Sequence, residues 1–483
     1  MSRRNGGIVG PTNTPVGGLF KGVAGGVWRM NDVLTFVSNN QWPSGPESID
    51  NSCRFDDGSS DNLSLSVTGT SQSTTGTISF WFKRANISAD QRIFVNYIDA
   101  NNYGGIKLQS DDKLEIVVVD GGSVTGKLVT SQVFRDVSAW YHCVVAIDSS
   151  NSTAGDRMRL YINGSEVTSF GTDTNPSSSA TMEFFTDGTN RIGQFNSSQY
   201  FDGYLAEFVM IHGQQLTPTS FGETDSTTGI WKPKQIGSFT SAGDNSFYLD
   251  FKDSSNLGND ASGLNNDFTV NNLTSLDQVT DIPTNNFATL NSLSSRSNNG
   301  TFSEGNTKFV GTMDGDWTVG TMAATAGKWY WEVKANEANY VLLGITTAEI
   351  INDNPTTSLG GSDFMGFRNS NNFYNFGTLV TSSYSYSDGD IFSFMLDLDT
   401  GDCEFYQNDT LKQTITLPTD KGDTWIPIIG DTYDVTDGNY NINFGNPSVA
   451  ISSGNSDPDG HGNFEYTTKT GYAWNTTNLN TYG

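Results

Sequence analysis

Short segments of alternating apolar and polar residues recur along most of the chain. Examples are residues 78–82, 141–147, 158–162, 329–333 and 392–398. An alternation with a period of two places successive side chains on opposite faces of a strand, one buried and one exposed. Gly, Asn, Asp and Ser separate these segments and favour turns. The pattern predicts an all-β protein built from antiparallel strands.

One hairpin pattern occurs twice, first over residues 140–164 and again over residues 391–409. Each copy has an apolar strand that ends in Asp, a short return and a second strand that contains an aromatic residue. Asn163-Gly164 closes the first copy, and both residues tolerate the positive φ of a type I′ turn. The repetition predicts two antiparallel β-sandwiches, or jelly rolls, on one chain.

Residues 51–225 carry further motifs in a fixed order. They are Ala139-Trp140-Tyr141-His142, the hexapeptide at 159–164, Arg191-Ile192-Gly193 and the segment 200–208. Together these motifs resemble the laminin-G-like, concanavalin A-like family. The resemblance implies a jelly roll of two packed sheets, which binds glycans or proteins through loops at its rim, often with calcium.

Residues 301–447 carry a different set of motifs, namely the segment 327–333, Leu343-Gly344-Ile345, the hairpin 390–411, Trp425-Ile426-Pro427 and Asn443-Phe444-Gly445. These motifs resemble the SPRY domain. The resemblance implies a bent β-sandwich that recognises partners through its loops and has no catalytic role. Asn408-Asp409 stands where that family usually has Asn-Gly, which leaves the turn type open because Asp tolerates positive φ less well. Since the two halves resemble different families, the repeated hairpin does not indicate an internal duplication.

Three further segments accompany the sandwiches. Residues 226–300 contain short strand candidates and are interpreted as a connector that adds edge strands to a neighbour, and residues 448–483 as a C-terminal tail. Residues 1–50 are rich in Gly and Pro and show no period, so we interpret them as an extended arm that docks on another protein, with a flexible tail as the alternative. The apolar anchors of this arm are Ile8, Phe20, Trp28, Phe36 and Trp42.

Charge and cysteine content narrow the possible partners and compartment. The net charge is −27, from 53 acidic and 26 basic residues. A binder of nucleic acid or of an anionic membrane needs a surplus of cations, so neither partner is expected. Cys53, Cys143 and Cys403 are far apart and are predicted to be buried free thiols, made in a reducing compartment. The sequence shows no apolar export signal and no apolar stretch of membrane-spanning length.

No motif in the sequence predicts an enzyme. The glycosidase spacing E-x-D-x-x-E is missing, Glu115 and Glu166 are isolated, and His142, His212 and His461 are scattered. We therefore assign no catalytic residue. His142 is expected to pack in the core or to hydrogen-bond the backbone.

Two loops are candidates for ligand binding, although an ordinary turn is the alternative at each. Asp and Asn offer oxygens to calcium or to sugar hydroxyls, and a tyrosine ring can stack on a sugar. Calcium is the one candidate cofactor, and no other metal is assigned. The candidate residues are Asp99, Asn101, Asn102 and Tyr103 in the first loop, and Arg368 and Asn369 in the second.

The order of arm, laminin-G-like domain, connector, SPRY-like domain and tail resembles structural appendage proteins of tailed bacteriophages. The resemblance implies a non-enzymatic virion protein, made in the host cytoplasm, such as a homo-oligomeric tail fibre. The arm would dock on other virion proteins, and the sandwiches would contact host-surface glycan or protein. A capsid decoration protein or head fibre, a glycan-active enzyme and a bacterial adhesin are the alternatives.

Overall fold

The computed structural model describes residues 49–70, 73–236, 245–296, 300–311, 315–338, 340–353, 363–369, 371–432 and 438–483. Nearly all regular structure in these residues is β-strand, and most strand pairs are antiparallel neighbours in four large sheets. This confirms the predicted all-β class. The predicted docking anchors Ile8, Phe20, Trp28, Phe36 and Trp42 lie outside the described residues.

Eighteen strands belong to the first sandwich and to the segment that follows it. They are β1 (Ser52–Phe55), β2 (Asn62–Val67), β3 (Thr75–Arg84), β4 (Gln91–Asp99), β5 (Asn102–Leu108), β6 (Lys113–Asp120), β7 (Ser123–Val133), β8 (Trp140–Asp148), β9 (Met158–Ile162), β10 (Ser165–Glu166), β11 (Phe170–Thr174), β12 (Gly188–Ile192), β13 (Gly203–His212), β14 (Gly222–Thr224), β15 (Trp231–Pro233), β16 (Phe247–Leu249), β17 (Thr269–Asn271) and β18 (Gln278–Val279).

The strands of the second half are β19 (Leu290–Arg296), β20 (Thr301–Ser303), β21 (Lys308–Gly311), β22 (Trp317–Gly320), β23 (Lys328–Glu337), β24 (Val341–Thr347), β25 (Met365–Asn369), β26 (Asn372–Asn375), β27 (Thr378–Thr381), β28 (Ile391–Asp397), β29 (Asp402–Gln407), β30 (Thr410–Thr416), β31 (Trp425–Asp431) and β32 (Gly438–Asn443). Two short helices accompany them, α1 (Ala348–Asp353) and α2 (Thr476–Tyr482). Neither described helix approaches the length and apolar character that a membrane span requires.

The first sandwich consists of two eight-stranded antiparallel sheets. Sheet I has the order β10-β9-β8-β3-β13-β1-β18, with β16 also paired to β13, and sheet II has the order β11-β7-β6-β5-β4-β12-β2-β17. Alternate residues of both sheets fill the space between them. Phe208 of sheet I lies between Phe80 and Phe94, at ring-centroid distances of 5.0 and 5.9 Å. The core therefore joins the two sheets through aromatic rings in contact.

The second sandwich also has two sheets. Sheet III has the order β19-β22-β31-β24-β25-β26-β27, and sheet IV has the order β20-β21-β32-β23-β28-β29-β30. Trp331 of sheet IV stacks on Phe394 at 4.8 Å in its core. Residues 448–483 pack on this sandwich, because Trp474 is fully buried and its ring lies 4.9 Å from that of Trp329.

The repeated hairpin has the same turn in both copies. Asn163 and Gly164 have φ of 48° and 78°, and Asn408 and Asp409 have φ of 47° and 61°. Positive φ at both central residues is the type I′ arrangement that suits twisted strands. The Asp at position 409 therefore adopts the conformation for which Gly is usual.

Residues 226–300 supply edge strands to both sandwiches. Strands β16, β17 and β18 pair with β13, β2 and β1 of the first sandwich, whereas β19 pairs with β22 of the second. The predicted buried thiols are confirmed, since Cys53, Cys143 and Cys403 are all buried and free.

A buried polar junction holds the connector to the first sandwich. Lys83 Nζ lies 2.8 Å from Asp281 Oδ2, and neither side chain is exposed. Asp281 also accepts the indole N–H of Trp140 at 3.0 Å, and Lys83 donates to the carbonyl of Phe287. A separate contact joins the first sandwich to the second, in which the Tyr204 hydroxyl donates to the carbonyl of Gly305 at 2.7 Å. The connector is thus fixed to the first sandwich by fully satisfied charges.

Candidate functional site

A polar groove lies on the outer face of sheet II, over strands β2, β12 and β17. Leu63 and Ile192 point into the core and pair with each other, so their neighbours Ser64 and Arg191 pair on the outside. The groove has a volume of about 400 Å³. Its lining consists of amides, hydroxyls, one guanidinium and one phenol, and includes Asn62, Ser64, Arg191, Gln194, Tyr200 and Asn271.

Three amide side chains form a connected network in the groove. Asn62 Oδ1 accepts from Gln194 Nε2 at 2.6 Å and from Asn271 Nδ2 at 3.0 Å. Gln194 Oε1 in turn accepts the backbone N–H of Ser197 at 2.7 Å. The network fixes the amide orientations before any ligand arrives, which reduces the entropy cost of binding.

The loop 195–200 forms one wall of the groove in a strained conformation. Asn196, Ser197 and Gln199 have φ of 45°, 65° and 53°, a region that non-glycine residues rarely adopt. The backbone of Phe195 and Ser198 exchanges two hydrogen bonds, and Arg92 N–H donates to the carbonyl of Gln199 at 2.8 Å. Such strain persists only where the surroundings enforce it, and it is concentrated at functional sites.

Aromatic side chains extend the wall onto strands β4 and β5. Tyr97 and Tyr103 are partners in the strand register, and both rings meet the ring of Phe195 edge-on, at 5.5 and 5.1 Å. Arg191 lies 4.7 Å from the Tyr97 ring and donates to Asn196 Oδ1 at 2.9 Å. The predicted ligand-binding residue Tyr103 therefore belongs to the aromatic wall beside the groove.

Arg92 places a charge beneath this wall. The guanidinium carbon lies 4.7 Å from the Phe195 ring and 5.9 Å from the Tyr103 ring, and the side chain is almost fully buried. Burial lowers the pKa of Arg92 to about 10, so it remains charged at neutral pH. Gly105 makes room for it, because a Cβ there would lie 2.4 Å from Arg92 Nη1.

The other predicted residues of the first loop close a turn. Asp99 Oδ1 accepts from the N–H of Asn101 at 2.7 Å and from Asn102 Nδ2 at 3.0 Å. Hydrogen bonds from Asn102 and from the Asn101 backbone lower the pKa of Asp99. Asn102 Oδ1 accepts the N–H of Gly121 at 2.8 Å. Asp99 is therefore engaged within the β4–β5 turn and the Asn102 oxygen in a contact with the neighbouring β6–β7 turn, and neither residue lines the groove.

The predicted residues of the second sandwich lie at the end of β25, away from the groove. Arg368 lies 5.5 Å from the ring of Tyr374. Asn369 has φ of 55° and accepts a hydrogen bond from Thr432 Oγ1 at 2.6 Å. These two side chains thus make contacts within sheet III, where β25 is an interior strand.

The amides of the groove are functional candidates that the sequence did not reveal. Asn62 precedes the core residue Leu63 in β2, and Gln194 follows the end of β12, positions at which a polar residue usually indicates a solvated face. Arg191 lies in a motif that was recognised for its family resemblance. Because it alternates with the core residue Ile192, the sequence pattern does place Arg191 on the outer face of the strand. Asn271 belongs to the segment interpreted as a connector, so nothing local linked it to Asn62.

Residues 57–220 match the family model described as the concanavalin A-like lectin/glucanases superfamily. The match confirms the predicted concanavalin A-like domain, and its span includes Asn62, Arg191 and Gln194. No curated protein matches the chain in sequence.

Several solved structures resemble parts of the chain in fold. The SPRY domain of human HERC1 is 16% identical, with 32% of this chain and 96% of that chain covered and a TM-score of 0.26. The TRIM65 PSpry domain is 16% identical, with 32% and 90% covered and a TM-score of 0.26. The native heptameric SAP-like pentraxin from Limulus polyphemus is 18% identical, with 42% and 94% covered and a TM-score of 0.28.

Proposed function

We propose that this protein binds glycans in the groove on sheet II. The amide network of Asn62, Gln194 and Asn271 beside the Arg191 guanidinium carries the proposal. Sugar hydroxyls both donate and accept hydrogen bonds, and amides and guanidinium groups complement them. The partly exposed rings of Tyr97 and Tyr103 offer apolar faces for stacking. The matched family model includes lectins in its description, which supports the same function.

We propose that the groove binds its glycan without cleaving it. Hydrolysis of a glycosidic bond usually requires two carboxyl groups that face each other across the bond. Among the described residues that line the groove, none is an Asp or a Glu. Glu115, elsewhere on sheet II, is paired with Lys127 at 2.7 Å. The proposal is therefore a binding protein and not a glycosidase.

We propose further that the chain is a virion structural protein, such as a tail fibre or similar appendage. This rests on the order of segments in the sequence and on the apolar anchors of residues 1–50, which would dock on other virion proteins. We expect a single shallow groove of this kind to bind with a Kd of about 1 mM, which corresponds to about −4 kcal/mol. A homo-oligomer repeated on a particle gains avidity of about 10²–10⁴, which suffices for attachment to a host surface.

Isothermal titration with oligosaccharides from host-surface polysaccharide tests the groove. Arg191→Ala and Asn62→Ala should each weaken binding at least about tenfold. The first leaves a sugar hydroxyl unpaired, and the second releases the Gln194 and Asn271 amides from the positions that Asn62 holds them in. Arg368→Ala, on the second sandwich, is the matched control and should bind like the wild type. Wild-type affinity in both groove variants would refute the site, and release of reducing sugar from the polysaccharide would refute the non-enzymatic function.

Immunogold labelling of intact particles tests the virion role. Label at the tail supports an appendage, label on the capsid supports a decoration protein or head fibre, and a particle that contains no such chain refutes the role. Deletion of residues 1–45 should leave a glycan-binding protein that no longer joins particles. Continued assembly of this variant would refute the docking function of the arm.

A further inference from the structure

A cavity of about 290 Å³ lies where the first sandwich contacts the second. The first sandwich lines it with the segment that follows β3 and with Asp202, which precedes β13. The second sandwich lines it with Ser292 of β19, with β20 and with Asn306 in the turn after β20. Small-molecule sites usually measure about 300–1,000 Å³, so this cavity is large enough for a small organic ligand.

Three buried side-chain oxygens of this lining have no hydrogen-bond partner among the described residues. They are Asp202 Oδ1, Asn306 Oδ1 and Ser292 Oγ. Asp202 and Asn306 are only 2% and 1% exposed. Asn306 Nδ2 donates to the carbonyl of Ala85 at 2.9 Å, which identifies Oδ1 as the unused acceptor of that amide. A buried polar atom without a partner is costly, so three of them around one cavity favour a ligand that donates hydrogen bonds.

The electrostatic surroundings of Asp202 favour a ligand with a positive charge. Burial raises the pKa of Asp202 well above its ordinary value, and the charge of Asp57 raises it further. Arg54 of the neighbouring strand β1 engages other acids instead, namely Asp277 at 3.4 Å and Glu304 at 3.5 Å. A buried carboxylate without compensation is costly, and a cationic ligand in the cavity would compensate it.

The rest of the lining includes an apolar wall, which suits an organic cation. Ile87 and Phe302 are half-buried and line the cavity. The ring of Phe302 packs against that of Phe309 at a centroid distance of 5.2 Å, which holds it in place. Asp202 is the only acid among the described residues that line the cavity. Apolar side chains beside a single carboxylate complement an alkyl chain that carries one positive charge.

We propose that this cavity binds a small primary alkylammonium ion, whose NH₃⁺ group donates to Asp202, Asn306 and Ser292. A primary ammonium group has three N–H donors and no acceptor. It therefore matches the three unpartnered oxygens in number and the carboxylate in charge. The alkyl chain lies against Ile87 and Phe302.

The ammonium ion connects the two sandwiches. Asp202 and Ile87 belong to the first sandwich, whereas Ser292, Phe302 and Asn306 belong to the second. A ligand that binds only the folded chain stabilises it by mass action, so the melting temperature rises with the amine concentration. None of these residues lines the glycan groove, so the site does not depend on the proposed glycan binding.

Calorimetric titration of the full chain with n-butylammonium chloride tests the site. We expect one saturable site per chain and a melting temperature that rises with this salt. N,N,N-trimethylbutylammonium chloride keeps the charge and the alkyl chain but has no N–H donor, so it should neither bind nor raise the melting temperature. Potassium chloride at the same ionic strength controls for screening of the acidic surface. Equal effects of the two ammonium salts would overturn the proposal.

Two variants identify the residues that hold the ammonium group. Asp202→Asn should lose butylammonium binding, yet without amine it should melt at or above the wild-type temperature, because it removes an uncompensated buried charge. Ser292→Ala changes a half-buried position, so it should fold normally and weaken binding about tenfold through the loss of one charge-assisted hydrogen bond. Ser123→Ala, at the exposed start of β7, is the matched control and should bind as the wild type does.

The proposal is overturned if the wild type binds no butylammonium at millimolar concentration, which would mean that the cavity holds water alone. Wild-type affinity in both Asp202→Asn and Ser292→Ala would also overturn it, because the amine would then bind elsewhere.

Discussion

Trp231 donates its indole N–H to Nδ1 of His142 at 3.0 Å. The other ring nitrogen of His142 lies 2.9 Å from Ser79 Oγ, and the ring stacks on Trp81 at 4.6 Å. Because Nδ1 accepts a hydrogen bond, Nε2 carries the proton of the neutral imidazole and donates to Ser79. A fully buried neutral histidine thus holds β15 against sheet I, which confirms the packing expected of His142, while its ring hydrogen bonds go to side chains and not to the backbone.

His142 should make the protein sensitive to acid. Burial lowers its pKa from 6.5 to about 3, so between these values the unfolded chain binds a proton that the native chain does not. The contribution of His142 to stability is therefore complete above about pH 6.5 and is lost as the pH falls towards 3. Urea unfolding at pH 7, 5 and 4 measures this loss. His142→Gln should show a shallower pH dependence, and His461→Gln serves as the control. If the free energy of unfolding of His142→Gln falls with pH as steeply as that of the wild type, His142 is not the source of the acid sensitivity.

The Lys83–Asp281 pair should dominate the stability of the junction. Lys83→Met leaves a fully buried carboxylate without its counter-ion and should lower the free energy of unfolding by about 3–5 kcal/mol. Lys107→Met is the matched control, because Lys107 pairs at 2.9 Å with Asp90, which is 39% exposed. An exposed pair of this kind contributes at most about 1 kcal/mol. Urea unfolding measures both variants. If Lys83→Met and Lys107→Met lose the same free energy of unfolding, burial does not make the Lys83–Asp281 pair the stronger one.

The repeated hairpin was predictable because its signals are local. Asn163 Oδ1 accepts the N–H of His142 at 2.8 Å, and Asn408 Oδ1 accepts the N–H of Ile391 at 3.0 Å. In both copies the turn asparagine thus reaches back to the first strand of the motif. A period of two and a turn residue that tolerates positive φ are visible in a short window of sequence, whatever the surrounding fold.

The groove was not predictable, because pairing between distant strands creates it. Asn62 and Asn271 are 209 positions apart and meet only because β17 adds to the edge of β2. In sequence, the outward residues of a strand that binds a ligand look the same as those of a strand that faces water. The Asp99 turn, in contrast, was recognised from its Asp and Asn content, which is typical of any tight turn and does not identify a ligand.

Gly105 should prove essential to the position of Arg92. A methyl group at this position would lie 2.4 Å from Arg92 Nη1, so Gly105→Ala must displace the guanidinium from beneath Phe195 and Tyr103. Because the clashing atom is the end of a flexible side chain that can shift, we expect a loss of at most about 1 kcal/mol in unfolding free energy, together with weaker glycan binding. Gly171→Ala is the control, since its nearest neighbour would be a carbonyl oxygen at 3.9 Å. Calorimetric titration and urea unfolding measure the two effects, and wild-type values for Gly105→Ala would contradict them.

Trp474 should anchor residues 448–483 to the second sandwich. Its ring is fully buried between those of Trp329 and Trp331, at 4.9 and 6.0 Å, and its carbonyl accepts the N–H of Ala288 at 2.8 Å. Trp474→Ala removes the ring from a packed core and should cost about 3–5 kcal/mol of unfolding free energy, which urea denaturation followed by circular dichroism would detect. Trp474→Phe retains an aromatic ring and should lose less. A cost below about 1 kcal/mol for Trp474→Ala would mean that this segment contributes little to the core, since only surface substitutions are normally so mild.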